Sequence, residues 1–120
     1  MADSKNLGLK RLVNAFGYSM KGLKATYQGE EAFRQEVFVL LLAIPLALWI
    51  ASDAIELILL IGSVLLVLVV ELLNSAIEAV VDRFGGEMHE LSGRAKDMGS
   101  AAVLLISINA GLVWLLILFR

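Results

Sequence analysis

The sequence predicts an all-α membrane protein, with one amphipathic interfacial helix followed by three transmembrane helices. Of the 120 residues, 59% are hydrophobic and only one is proline. The apolar residues form long uninterrupted runs, which is typical of membrane proteins and not of soluble globular domains. The length fits a single domain, so residues 1–120 are predicted to form one unit.

The N-terminal helix, predicted over residues 7–28, is amphipathic and basic. A basic amphipathic helix of modest overall hydrophobicity is typical of a segment that lies in the membrane interface. Its apolar face is formed by Leu9, Leu12, Val13, Phe16, Met20, Leu23 and Tyr27, and its opposite face by Lys10, Arg11, Asn14, Lys21 and Lys24.

The transmembrane helices are predicted over residues 33–52, 57–84 and 98–119. Each contains a long uncharged run. The first run, residues 37–52, is slightly short of a hydrocarbon core at about 1.5 Å per residue, and extension back through Phe33 or on past Asp53 would complete the crossing. Between the first two lies a very short turn in which Asp53 is placed to cap the second helix. A polar loop is predicted over residues 85–97.

The distribution of basic residues predicts the orientation. Six Lys/Arg residues lie among the first 36 residues and three more lie between positions 83 and 96, whereas the turn at 53–56 has none. The positive-inside rule therefore predicts a cytoplasmic N-terminus and a cytoplasmic 85–97 loop, with the C-terminus on the other side. No signal peptide is expected, because no apolar h-region occurs among the first 36 residues.

The second span carries polar residues where a membrane helix should be apolar. Glu71, Asn74, Glu78 and Asp82 fall at i, i+3, i+7 and i+11 and share one helical face. Ionisable groups inside a span are costly and commonly mark a working site. A polar face that joins subunits by hydrogen bonds is the alternative, but the three carboxylates favour a functional role.

Further charged residues are expected at the cytoplasmic depth of Glu78. Glu30 precedes the first span, and Lys96 and Asp97 precede the third. Carboxylate oxygens suit Mg²⁺ that carries phosphate ligands, and basic side chains neutralise phosphate oxygens. Glu71 lies deeper, where low-dielectric surroundings suit a carboxylate to general-base work.

This pattern is compatible with phosphoryl transfer from a nucleotide to a lipid at the membrane surface. A small oligomeric proton or cation channel would use the same residue types, and a structural assembly protein remains a third hypothesis.

Several site classes are excluded. The chain has no cysteine and one histidine, so a disulfide, a thiolate zinc site and a poly-histidine metal site are impossible. The sequence contains no G-x-x-x-x-G-K-[ST] loop, no H-R-D or D-F-G motif and no G-x-G-x-x-G. Any nucleotide site must therefore be built in another way.

Four segments together resemble the prokaryotic diacylglycerol kinases. They are E-L-L-N-S-A-I-E-A-V-V-D-R at 71–83, E-L-S-G-R-A-K-D-M-G-S-A-A at 90–102, G-Y-S-M-K-G-L at 17–23 and E-A-F-R-Q-E at 31–36. The resemblance covers nearly the whole chain, in order and with the same layout of spans. The E-x-x-N-[ST]-A-I-E-x-x-x-D run is its most specific part.

The resemblance implies a homotrimer of three-span subunits in the bacterial inner membrane, with a cytoplasmic N-terminus and a periplasmic C-terminus. Such an enzyme transfers the γ-phosphoryl group of MgATP to diacylglycerol, giving phosphatidic acid and ADP for lipid recycling. Its partners are diacylglycerol, ATP, membrane lipids and copies of itself, with no nucleic acid. The sites lie between subunits.

The resemblance also implies roles for individual residues. Glu71 would be the general base, Glu30 and Glu78 would hold Mg²⁺, and Asn74 would support the site. The implied ATP contacts are Arg11, Tyr18, Glu30, Glu78, Glu87, His89, Lys96 and Asp97. The implied lipid contacts are Arg34, Glu36, Trp49, Glu71, Ser100 and Trp114.

Other interpretations stand beside these roles. His89 can be a solvated loop residue, and Trp49 and Trp114 suit a membrane-belt position. Asp82 fits a structural role, as a helix cap or an ion-pair partner of a basic residue, as well as it fits participation in the site. Lys96 and Asp97 can be a simple interfacial pair.

A sister branch of the family phosphorylates undecaprenol. The segment S-G-R-A-K-D-M-G-S at 92–100 looks more like the diacylglycerol branch. Met20 and Met88 stand where the family often has an aromatic residue, so a stacking role is not expected there.

Overall fold

The computed structural model describes residues 4–84 and 90–120, and these are almost entirely helical. The chain order is α1 (Ser4–Gly29), α2 (Glu31–Ile50), α3 (Ala54–Asp82) and α4 (Glu90–Leu118). By length and composition, α2, α3 and α4 can each cross a membrane. The predicted fold, one N-terminal helix and three membrane-spanning helices, is confirmed.

Helix α1 extends away from the other three helices, and its residues 7–25 are all exposed. Glu30 alone links it to α2, in an extended conformation (φ −123°, ψ 110°) that turns the chain. The guanidinium group of Arg34 donates hydrogen bonds to the carbonyl oxygens of Tyr27, at 2.7 Å, and Gln28, at 3.1 Å. A cation at the C-terminus of a helix is favourable, so Arg34 stabilises the α1–α2 corner.

The turn between α2 and α3 is held by side-chain caps. Asp53 Oδ1 accepts a hydrogen bond from the backbone N–H of Glu56 at 2.8 Å, which confirms the predicted N-cap. The Glu56 carboxylate in turn accepts from the backbone N–H of Ser52, also at 2.8 Å. The first bond satisfies a backbone donor that the start of a helix leaves free, and the second ties the turn back to α3.

The core follows one stripe along α3. The buried residues of this stripe are Leu60, Ser63, Val64, Val67, Leu68 and Glu71. One apolar cluster joins Val64 and Leu68 to Phe33 and Ala43 of α2, and a second joins Leu60 to Ala47 of α2 and Ile117 of α4. Because Glu71 continues the helical spacing of this stripe, the fold turns it inward with the core.

Helix α4 begins earlier than the sequence predicts. The prediction of a loop over residues 85–97 is wrong for residues 90–97, which form the first two turns of α4. An Arg94–Glu90 ion pair of 3.0 Å supports these turns at the favourable i, i+4 spacing. Polarity favours a loop, but it equally suits a helix that continues beyond the apolar region.

At one end of the bundle α2 begins, α3 ends and α4 begins. We call it the acidic end, and Glu30, Asp82 and Lys96 mark its position. The opposite end is closed by Arg120. Its guanidinium lies 2.7 Å from the Glu56 carboxylate and 2.7 Å from Ser52 Oγ, so it joins the end of α4 to the α2–α3 turn.

Candidate functional site

Glu71 is the centre of the candidate site. Its side chain is only 6% exposed, and it is the one charged residue among the buried residues of the described chain. The carboxyl groups of Glu30, Glu36 and Glu78 lie close enough to act on it electrostatically. Acidic groups of the α1–α2 link, α2 and α3 therefore lie within electrostatic range of the buried Glu71. Their mutual repulsion favours the binding of a cation or of protons.

Glu36 connects this acidic group to apolar surroundings. It is half-buried, and its Oε2 atom has no hydrogen-bond partner within the described residues. It also lines a cavity of about 170 Å³ together with Val39, Val64, Ser107 and other residues. One wall of the acidic site is thus continuous with the lipid-like interior of the bundle.

A larger apolar groove of about 370 Å³ lies between α2, α3 and α4. Its lining consists of Val39, Leu42, Ala43, Leu46, Val64, Ala110, Gly111 and Trp114. It shares Val39, Val64 and Ala110 with the cavity at Glu36, so the two spaces adjoin. An apolar groove that ends at a carboxylate suits an amphiphilic molecule with its polar group at the acidic end.

Asn74 holds one oxygen of Glu78. The Asn74 Nδ2 atom donates to Glu78 Oε1 at 3.2 Å, one helical turn further along α3. Asn74 Oδ1 is buried, and no partner for it lies within the described residues. Because this hydrogen bond uses only Oε1 of Glu78, the Oε2 atom remains available for another interaction.

Lys96 of α4 pairs with Asp82 of α3. The Nζ–Oδ1 distance is 2.9 Å, and the two side chains are 45% and 64% exposed. Glu78 also acts electrostatically on Lys96. Of the roles that the sequence allows for Asp82, the structure supports the ion-pair partner.

The acidic groups do not form a ready metal cage. Among residues 4–84 and 90–120, no group of three or more potential ligand side chains could hold a metal ion. Mg²⁺, however, is commonly bound by one or two carboxylates together with phosphate oxygens and water. Glu30 and the free oxygen of Glu78 are therefore a chemically suitable pair for Mg²⁺ that arrives with a phosphate ligand.

Two of the expected ATP contacts lie on α1. Arg11 and Tyr18 line a shallow groove of about 460 Å³ with Leu7, Lys10, Asn14 and Ala15. Lys21 Nζ lies 5.9 Å from the centre of the Tyr18 ring. No hydrogen bond or ion pair joins Arg11 or Tyr18 to the four carboxylates in the described part of the subunit. Glu87 and His89 lie outside the described residues.

The remaining predicted residues are dispersed. Trp49 is 83% exposed at the end of α2 away from the acidic end, which suits a membrane-belt position. Trp114 is half-buried instead, and its Nε1 atom donates to the Leu60 carbonyl oxygen at 3.0 Å. Asp97 and Ser100 are exposed on α4 near Lys96.

Gly99 is a site neighbour that the sequence reasoning did not single out. It is buried against the Asn74 side chain. The available sequence signal is its place among the small residues of α4, because small residues favour a close helix approach without indicating the partner.

The chain is similar to known proteins over nearly its whole length. Residues 17–118 match the family model described as prokaryotic diacylglycerol kinase. The diacylglycerol kinase of Escherichia coli (strain K12) is 59% identical over 112 residues, which cover 93% of this chain and 92% of the relative. The diacylglycerol kinase of Haemophilus influenzae is 53% identical over 115 residues, covering 96% and 98%. The diacylglycerol kinase of Pseudomonas aeruginosa is 50% identical over 111 residues, covering 92% and 90%.

Proposed function

We propose that this chain, which belongs to the prokaryotic diacylglycerol kinase family, transfers the γ-phosphoryl group of ATP to the free hydroxyl group of diacylglycerol. The products are phosphatidic acid and ADP. The observation that carries this proposal is the 59% identity with a diacylglycerol kinase over 93% of the chain. The buried Glu71 carboxylate within a bundle of three membrane-spanning helices supports it independently.

Glu71 is the proposed general base. Its carboxylate accepts the proton of the diacylglycerol hydroxyl as that oxygen attacks the γ-phosphorus. The bond between the γ-phosphorus and the β–γ bridging oxygen breaks, and ADP leaves. Phosphoryl transfer depends mainly on positioning and charge stabilisation, so the base needs a fixed place more than unusual reactivity. Packing on the inner stripe of α3 provides that place.

Glu30 and Glu78 are the proposed Mg²⁺ ligands. When bound, the metal ion neutralises charge on the ATP phosphates. Lys96 lies within electrostatic range of Glu78, and its ammonium group is proposed to contact the same phosphates. We place Asp97 and the α1 residues Arg11 and Tyr18 in the nucleotide contacts as well.

The lipid acceptor is proposed to enter from the membrane. Its hydrocarbon chains occupy the apolar groove of about 370 Å³, and its hydroxyl group reaches Glu36 and Glu71 through the adjoining cavity. Ser100 and Arg34 lie at the acidic end and are proposed headgroup contacts, while Trp49 and Trp114 lie towards the acyl chains.

Assembly and location follow the same proposal. We place the acidic end at the cytoplasmic face of the bacterial inner membrane, where ATP is available. The subunits form a homotrimer with sites between them, which would bring Arg11 and Tyr18 of one subunit to the carboxylates of another. The many apolar side chains of α2–α4 that their own subunit leaves uncovered support both lipid contact and subunit association.

A competition between lipid acceptors tests the proposed function. Purified protein in mixed micelles with MgATP should form phosphatidic acid from diacylglycerol, and excess undecaprenol should inhibit that reaction only weakly. Preferential phosphorylation of undecaprenol would assign the chain to the other branch. Proton or cation flux across liposomes without any ATP-dependent transfer would contradict both lipid-kinase assignments.

The exposed ion pair predicts a small effect for Asp82→Asn. The free energy of unfolding should change by less than about 1 kcal/mol, because solvent screens an exposed pair. Lys96 would lose its anchor, so kcat/KM for ATP should fall by roughly two- to fivefold. Thermal unfolding and steady-state kinetics measure the two effects. Complete loss of transfer would instead mean that Asp82 itself contacts a substrate.

A further inference from the structure

Gly99 contacts the Asn74 side chain across the α3–α4 interface. A β-carbon placed on Gly99 would overlap Asn74 Oδ1 and lie 3.1 Å from Asn74 Cγ. At the other glycines of the described chain, an added β-carbon meets no atom within 4 Å. Among the glycines of the described chain, Gly99 is therefore the one whose lack of a side chain leaves space for another residue.

The chemistry of Asn74 fixes which end of its amide faces Gly99. Glu78 Oε1 is an acceptor, so only the NH₂ end of the amide can bond to it, as the 3.2 Å contact requires. The carbonyl end must then point towards Gly99, where Asn74 Oδ1 is buried. The side chain is consequently held between a carboxylate on its own helix and a glycine on the next.

We propose that Gly99 is a positioning residue, which sets the orientation of Asn74 and, through it, the carboxylate of Glu78. This inference rests on the proposed function, in which Glu78 holds Mg²⁺ on ATP. A methyl group at position 99 would push the Asn74 amide aside and break its bond to Glu78. The displaced group is the end of a side chain and not backbone, so the fold can accommodate the change. The Glu78 carboxylate, however, loses the hydrogen bond from Asn74 and cannot keep its position.

Gly99→Ala tests this inference directly. We expect kcat/KM for MgATP to fall by roughly ten- to a hundredfold, the range for loss of a hydrogen bond to a charged group. The Mg²⁺ concentration for half-maximal rate should rise, because the affected group is the proposed metal ligand. Gly93→Ala, on the same helix and with free space around the added methyl, is the matched control and should stay within about twofold of wild type.

A double variant distinguishes positioning from a general effect on packing. If Gly99 acts only by accommodating Asn74, adding Gly99→Ala to Asn74→Ala should produce no further loss in rate. The double variant should also fold if Gly99→Ala alone does not, because the smaller side chain removes the overlap. A further loss in the double variant, or wild-type Mg²⁺ dependence in Gly99→Ala, would overturn the inference.

A readout without catalysis separates this inference from the proposed function. The side-chain amide ¹⁵N–¹H signals of Asn74 should shift in Gly99→Ala and stay in place in Gly93→Ala. An inactive wild-type protein would contradict the proposed function, yet the amide signals would still report on the contact. An unchanged Asn74 signal in Gly99→Ala would disprove the positioning role even in a fully active enzyme.

Discussion

Glu71→Gln should reduce the rate of phosphatidic acid formation by on the order of a thousandfold, within the usual range for loss of a general base. Glutamine has nearly the same shape and can fill the buried position, but it cannot accept the proton of the lipid hydroxyl. The loss should appear in kcat, while KM for MgATP changes little. A radiolabel assay in mixed micelles, with nucleotide binding measured separately, provides both quantities.

Glu31→Gln is the matched control for this variant. Glu31 lies at the same end of the bundle but is exposed, so its neutralisation should leave kcat within about twofold of wild type. Thermal unfolding of Glu71→Gln should occur at or above the wild-type temperature, because the substitution removes a charge from the interior. Substantial transfer by Glu71→Gln would exclude Glu71 as the base.

The sequence predicted the helical architecture well because long apolar runs dominate the energy of a membrane helix. The short turn before α3 was also predictable, since Asp53 caps within three residues of its own position. The start of α4 was not, because polar residues suit both a loop and a helix that continues into water. The Arg94–Glu90 pair, which favours the helix, is worth only a few tenths of a kcal/mol and gives a weak signal.

Contacts between distant residues were the least predictable part of the site. Helical spacing placed Glu71, Asn74 and Glu78 on one face, and the structure groups them as expected. It could not show that Lys96 meets Asp82, because that contact depends on how α3 and α4 pack.

Two other contacts could not be predicted for the same reason: one at the end of the bundle opposite the acidic end, and one made by Trp114. The Arg120–Glu56 ion pair joins the end of α4 to the start of α3, which are far apart in the sequence. A tryptophan near the end of a span suggests a belt position, yet the Trp114 indole donates to α3.

Glu78→Gln should be the second most damaging substitution. The amide oxygen of glutamine is a weaker ligand for Mg²⁺ than a carboxylate, and the nearby negative charge that attracts the metal is lost. We expect kcat/KM for MgATP to fall by roughly a hundred- to a thousandfold, with a marked rise in the Mg²⁺ concentration needed for half-maximal rate. Titration of the initial rate with Mg²⁺ at fixed ATP measures this, and raised Mg²⁺ should restore part of the activity.

Asp82→Asn is the appropriate control for Glu78→Gln, because it removes the same charge one helical turn further along α3. Its Mg²⁺ dependence should match wild type, since Asp82 pairs with Lys96 and not with the proposed metal. If both variants shift the Mg²⁺ dependence equally, the effect is a general loss of negative charge at the acidic end. If only Glu78→Gln shifts the Mg²⁺ dependence, Glu78 acts at the metal. If Glu78→Gln leaves the Mg²⁺ dependence unchanged, Glu78 is not a ligand.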